Sequence, residues 1–150
     1  MFGVAMSDDD MSFIVKRCRS LAILKLRHPS ALSPDELSDL TDRERDALGS
    51  RKLSGDGLAK LERLKRLMFL EITGYDLPAT RLQFLAELKE LRWLALCNMK
   101  ITDEDLHSLS GLPNLARLDL SGTSVTGSGL RHLRDCPSLN CLTLNRTRVT

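Results

Sequence analysis

The sequence predicts an α/β solenoid: a right-handed coil carrying a parallel sheet on its concave face and short helices on its convex face. Three observations predict it. The first is a repeat of 24 residues, in which Leu91, Leu94, Leu96, Ile101, Thr102, Leu106, Leu109 and Leu112 return as Leu115, Leu118, Leu120, Val125, Thr126, Leu130, Leu133 and Cys136. The series starts again at Leu139, Leu142, Leu144, Val149 and Thr150. A period of this size marks units too small to bury their own apolar faces, which must stack on their neighbours. The second is the strict three-residue leucine spacing of LAKLERLKRL, residues 58–67. On one helix these leucines would wrap around the axis instead of forming a seam, so helix must give way to strand between about Leu64 and Leu67. The third is composition: 42% apolar but only 4% aromatic in 150 residues, which suits a leucine-filled interior.

The elements follow in order. Ser7 with Asp8, Asp9 and Asp10 opens a helix running to about Cys18, which with its flanks forms an N-terminal helical cap over residues 1–20 that shields the first strand. Residues 21–150 carry the repeats, about six strands with the last repeat incomplete. Leu21, Leu24 and Leu26 mark the first strand. Ser33, Pro34, Asp35 and Glu36 then supply a cap hydroxyl, a first-turn proline and a capping-box acid before Leu37 and Leu40. The next unit is degenerate, with Arg43 and Asp46 at leucine positions, and residues 41–50 read as a polar bulge containing a strand row of Arg45, Ala47 and Gly49. Regularity returns with Leu53, Leu58, Leu61 and Leu64, then Leu67, Leu70 and Ile72, then Leu82, Leu85 and Leu88. Ser54, Thr102 and Thr126 read as helix caps. The last strand and its turn reach Thr150 with no capping repeat, so continuation of the chain, pairing with a second copy or cover by a partner is expected at that edge.

The segment LARLDLSGTSVTGSGLRHLRDC, residues 115–136, resembles the leucine-rich repeat pattern LxxLxLxxTxVTxxGLxxLxxL. The resemblance spans residues 21–150, most strongly from Leu67. It is similar to the threonine-bearing class, the ribonuclease-inhibitor-like and bacterial cysteine-containing subgroups, in which Thr replaces the usual Asn at the turn after the strand. It implies that Thr123 and Thr147 bond neighbouring backbone in a ladder, which Met99, Tyr75, Arg51 and Pro29 cannot do.

Strand residues alternate, so the leucines point inward and their neighbours face the concave surface. That face reads, strand by strand, Ile23, Lys25, Arg27; Arg45, Ala47, Gly49; Phe69, Glu71, Thr73; Trp93, Ala95, Cys97; Arg117, Asp119, Ser121; and Cys141, Thr143, Asn145. Its first column is Ile23, Phe69, Trp93, Arg117 and Cys141. The single tryptophan lies between a phenylalanine and an arginine, residue types enriched at binding hot spots. Trp93, Phe69, Arg117, Ile23, Glu71, Asp119 and Cys141 are therefore the candidate partner-binding residues. The plain alternative is a local stack in which Phe69 and Arg117 cover the indole and no partner is involved.

Other classes find little support. A net charge of +2 is too mild for phosphate tracking, so nucleic acid is not expected. Residues 1–6 lack a basic leader region and no apolar run could span a bilayer, so a cytoplasmic chain without membrane attachment is expected. Cys18, Cys97, Cys136 and Cys141 match no metal spacing and read as reduced thiols, Cys18 and Cys136 as small buried hydrophobes. His28, His107 and His132 read as surface residues. Lys60, Arg63, Lys65 and Arg66 form a basic cluster read as a solvated face or a site for an acidic partner. Nucleotide-loop, nucleophile-elbow and zinc-protease motifs are absent, and the Thr126–Gly129 turn lacks the lysine a phosphate loop needs. No cofactor, metal or catalytic residue is expected. Cys97 and Cys141 are the candidates for a reactive thiol.

The expected function is a non-enzymatic scaffold that holds a protein partner on its concave face. Two alternatives remain. One is the recognition part of a larger assembly such as a ubiquitin-ligase substrate receptor, whose adaptor-binding box the first 20 residues are too short to supply. The other is a fragment of a longer repeat protein.

Overall fold

A computed structural model of the chain describes residues 6–28, 53–75 and 82–150. Among them, one parallel sheet runs in sequence order through β1 (Ile23–Arg27), β2 (Phe69–Thr73), β3 (Trp93–Cys97), β4 (Arg117–Asp119) and β5 (Cys141–Thr143). Helix α1 (Asp8–Arg17) precedes β1 and helix α2 (Gly55–Ala59) precedes β2. The other connections are tighter 3₁₀ turns: Lys60–Arg63 after α2, then Gln83–Glu87, Glu104–Leu109 and Gly129–Leu133. A 24-residue unit that must also supply a strand and two turns leaves only about five residues for its convex side. The i→i+3 bonds of a 3₁₀ segment close within that length.

From β2 onward the register confirms the period, and at β1 it corrects one expectation. Ile23 pairs with Phe69, Phe69 with Trp93, Trp93 with Arg117, and Arg117 with Cys141. Because β1 bonds β2 directly, no strand stands between them. No row therefore lies between Ile23 and Phe69 on this face; Arg45, Ala47 and Gly49, the Ser33 cap, Arg51 and Pro29 lie outside the described residues.

The interior is a stack of identical positions. Leu24, Leu70, Leu94 and Leu118 form one buried column, and Leu26, Ile72, Leu96 and Leu120 another. Leu58, Leu61, Leu64 and Leu67 are all fully buried, which requires the helix-to-strand change that the spacing predicts. Burying one such side chain is worth about 1.5–3 kcal/mol. A recurrent turn leads each unit into its strand: Leu64, Leu88, Leu112 and Cys136 donate N–H to Leu61, Leu85, Leu109 and Leu133. Toward β5 the packing opens: Leu142 is 36% exposed, and Leu130, Leu139, Leu144 and Val149 are only partly buried.

α1 carries a capping box, the Ser7 hydroxyl accepting from the Asp10 N–H while the Asp10 carboxylate accepts from the Ser7 N–H. It buries Met11, Ile14 and Val15 and lies beside α2 and the Lys60–Arg63 turn, in the place a convex helix of the first unit would take. Thr123 and Thr147 donate their hydroxyls to Leu120 and Leu144 carbonyls at 2.7 and 2.8 Å, bonds within their own turns instead of a ladder between units. At the same position Met99 and Tyr75 are buried and fill the space with apolar groups.

The convex turns are capped across units. Asp8 accepts from the Ser54 N–H (2.8 Å) and hydroxyl (2.6 Å), and Ser54 Oγ accepts in turn from the Gly57 N–H. Asp103 repeats this on Thr126, accepting from its N–H (2.7 Å) and hydroxyl (2.6 Å), while Thr126 Oγ1 accepts from the Ser128 N–H. These bonds from Thr126 hold the Asp103 carboxyl below the usual carboxylate range. Thr102 departs from the expected cap: its hydroxyl donates to Glu104 and Asp105, and its N–H donates to Asp105. The carboxylates approach so closely that a side chain at Gly57 or Gly129 would collide with Asp8 or Asp103. Gly129→Ala is thus expected to cost about 1–3 kcal/mol. Gly127→Ala, whose methyl meets nothing within 4 Å, is expected to be neutral or to stabilise by up to about 1 kcal/mol. Chemical denaturation of the two variants beside the parent chain checks both.

Candidate binding face

Every candidate partner-binding residue lies on the concave side of the five strands. Phe69 and Trp93 sit on adjacent strands in matched register, which places their side chains about 4.8 Å apart and leaves the rings little choice but to stack or diverge. They stack: the centroids are 3.8 Å apart and the planes 7° from parallel. Both rings remain partly exposed. The cation beside the pair is Lys25, 5.3 Å from the Phe69 centroid, and not the expected Arg117. Lys25 also meets Glu71 at 3.6 Å. The stack is therefore framed on one side by Lys25 and Ile23, the latter 60% exposed, and on the other by exposed Arg117.

The remaining candidates divide. Asp119 is committed to its own turn, accepting from the Ser121 N–H (2.9 Å) and hydroxyl (2.6 Å). Cys141 is exposed on β5, at the far end of the column from Ile23. Thr73 and Ala95, assigned to the open face by alternation, are buried. Ala95 stands in register between Glu71 and Asp119, whose longer side chains overshadow its methyl.

Sequence reasoning missed a second feature, at the carboxyl ends of the strands. Gly74, Asn98, Gly122 and Arg146 all adopt positive φ, from 52° to 78°, at the same position of successive units. Here the chain turns off the sheet. Glycine suits this geometry, asparagine tolerates it, and arginine adopts it at a cost of about 1 kcal/mol. Gly122 also lacks room for a side chain against Asn98. The spacing of Gly74 and Gly122, twice the period, was the available signal. A shallow depression of about 630 Å³ lies there, lined by Cys97, Asn98, Ser121, Gly122, Asn145 and Arg146.

Thiol chemistry gains no support from this geometry. Burial pushes the Cys97 thiol up to about 12, and the neighbouring Asp119 carboxylate, by charge and by hydrogen bonding, acts in the same direction, as does Glu71. Cys97 is half-buried, so the expectation of an exposed thiol there is corrected. Cys136 donates to the Leu109 carbonyl at 3.1 Å and is buried as expected, while Cys18 is only half-buried. All four cysteines are free. Among the described residues, no group of three or more His, Cys, Asp and Glu side chains could hold a metal, and no helix is long and apolar enough to cross a membrane. His107 and His132 meet edge to face at 5.7 Å, and His28 packs against Tyr75 at 5.3 Å.

Five parallel strands, the last four in 24-residue register, with leucine columns behind them and short turns on the convex side, decide the architecture. The fold is a leucine-rich-repeat solenoid. Residues 89–149 match the family model for the leucine rich repeat. No curated protein matches the chain. Among solved structures, an internalin from Listeria monocytogenes is 24% identical, with a TM-score of 0.42, over 57% of this chain and 30% of that one. The chain thus spans less than a third of that internalin's length. On the solenoid's concave face, exposed Cys141 is expected to react with iodoacetamide at pH 8 at least tenfold faster than Cys97. Asp119→Asn is expected to speed Cys97 only partly, because burial is the larger cause. Site-resolved mass spectrometry of the alkylated protein measures both rates.

Proposed function

We propose that the solenoid is a non-enzymatic interaction module that holds a protein partner on its concave face, with the Phe69–Trp93 stack as anchor and Ile23 and Arg117 beside it. The observation that carries this reading is the stack itself. Two flat rings 3.8 Å apart lie on an open sheet next to an isoleucine that keeps most of its surface in solvent. A local aromatic pair is worth about 0.5–1.5 kcal/mol beyond its area, which accounts for its geometry but not for the exposed Ile23 continuing the same column. Rigid rings already held in one arrangement lose little entropy on binding, the property that makes aromatic anchors effective.

The rest of the face suits a rim. Lys25 and Glu71 form an ion pair at the edge of the stack, and a partner that displaced it would lose little, because such solvent-facing pairs contribute about 0–1 kcal/mol. Asp119 is less available, being engaged by Ser121, and supports the site by fixing the turn beside Arg117. The threonine turns at Thr123 and Thr147 support membership of the threonine-bearing class of these repeats.

Trp93→Ala is expected to leave the fold intact and weaken partner binding about 30-fold, the effect of losing a hot spot of about 2 kcal/mol. Affinity capture with quantitative mass spectrometry, comparing this variant with Arg134→Ala on the convex side, identifies the dependent partner, and titration of that purified partner gives the ratio. If folded Trp93→Ala retains every interactor of the parent chain at the same affinity, the concave reading is wrong.

A further inference from the structure

On the opposite side of the solenoid, α1 and the Lys60–Arg63 turn enclose a groove where, among the described residues, every lining charge is positive. A depression of about 350 Å³ is lined by Val15, Lys16, Arg19 and Arg63, and it continues into a smaller one of about 130 Å³ lined by Ser12, Val15, Lys16, Lys60 and Arg63. The local geometry explains the convergence. Residues 12, 15 and 16 share one face of α1, Arg19 follows in the turn just after it, and in a 3₁₀ turn residues three apart eclipse, which aligns Lys60 with Arg63. Four cations, from α1, the turn after it and the Lys60–Arg63 turn, therefore line the two depressions with Val15.

Among the described residues, two acids of α1 are engaged elsewhere. Asp8, at the start of the same helix, directs its carboxylate to the Ser54 N–H and hydroxyl. Asp10 closes the capping box on Ser7. Glu62 lies in the sequence between Lys60 and Arg63 but lines neither depression. Lys60 donates to the Ser12 hydroxyl at 2.6 Å and to the Asp8 carbonyl at 3.3 Å, acceptors that fix its position without cancelling its charge. Lys65, outside the groove, contrasts with this, since it has an acidic partner in Glu87 at 2.8 Å. Lys16, Arg19 and Arg63 are exposed at the rim.

We propose that this convex groove binds an acidic peptide segment of a protein partner, with carboxylates against Lys16, Arg19 and Arg63 and an aliphatic contact to Val15. Two arginines at the rim can take carboxylates through two parallel N–H bonds. The apolar floor favours a peptide over a small free anion, which would use only the charges. This site is separate from the concave stack and stands or falls independently of it.

Fluorescence anisotropy with a labelled Glu-Asp octapeptide, and with its Gln-Asn counterpart, tests the assignment on the full chain. The acidic peptide is expected to bind the parent chain, the neutral one at least tenfold more weakly. Lys16→Glu/Arg63→Glu is expected to weaken acidic-peptide binding at least tenfold. Arg134→Glu/Arg148→Glu, an equal change of net charge at exposed sites elsewhere, should stay within about twofold of the parent. Should the first double variant fail to fold by circular dichroism, Lys16→Gln/Arg19→Gln carries the test, with the same loss expected. Equal weakening by the groove pair and the distant pair would show that net charge alone attracts the peptide and would overturn the proposal. So would no binding of the acidic peptide, or a single-stranded oligonucleotide binding the groove more tightly than the peptide does.

Discussion

Everything in this molecule depends on strands that start level with one another. The Ala22, Met68, Arg92 and Ala116 carbonyls accept from the Phe69, Trp93, Arg117 and Cys141 N–H groups. At the far end of the strands Thr73, Cys97, Ser121 and Asn145 accept from His28, Gly74, Asn98 and Gly122. With both ends tied, residues in register are compelled neighbours about 4.8 Å apart. A leucine in one unit then requires an apolar group in the next, and the core grows by stacking, without long-range closure. The same constraint governs the outer face, where a column's chemistry is set by five side chains that cannot avoid one another.

The convex side solves a different problem. Its segments are too short to satisfy their own first N–H groups, and a free terminus of each turn would be left facing the next unit. Asp8 and Asp103 meet that need from the preceding unit, each gripping a hydroxyl residue that caps the turn behind it. The glycines at 57 and 129 are the counterpart of this contact, because they give the carboxylates room. Stacking is thus held by leucines inside, backbone bonds on the sheet and carboxylate clamps outside. These contacts join nearest neighbours only, so loosening one unit is felt first by the two beside it.

The period, the strand positions and the switch from helix to strand near Leu64 were legible because each rests on leucines whose burial has one solution. The concave column was legible for the same reason: alternation fixes which residues face out, and the period fixes which align. What escaped was context. Periodicity places a row at the degenerate unit around Arg43 because it says nothing about which strands pair, whereas β1 meets β2 directly. Thr73 and Ala95 escaped because exposure depends on the length of neighbouring side chains as well as on alternation. The Asp8–Ser54 clamp joins residues 46 apart, and no local signal announces it. The left-handed column failed to show because only Gly74 and Gly122 advertise it, whereas Asn98 and Arg146 adopt the same geometry without glycine.

The two surfaces described are joined through one unit. Residues 53–75 carry Phe69 on the concave side and Lys60 and Arg63 on the convex side, and fully buried Leu61, Leu64, Leu67 and Leu70 lie between them. In a closely packed interior such a layer transmits displacement instead of absorbing it. The clamp from Asp8 to Ser54 ties α1, one wall of the convex groove, to the start of this unit. Lys60 ties the opposite wall back to α1 through Ser12. An anionic segment drawn between the walls would compete with Ser12 for Lys60. On the concave side Phe69 stacks on Trp93, a surface pair with both rings partly in solvent.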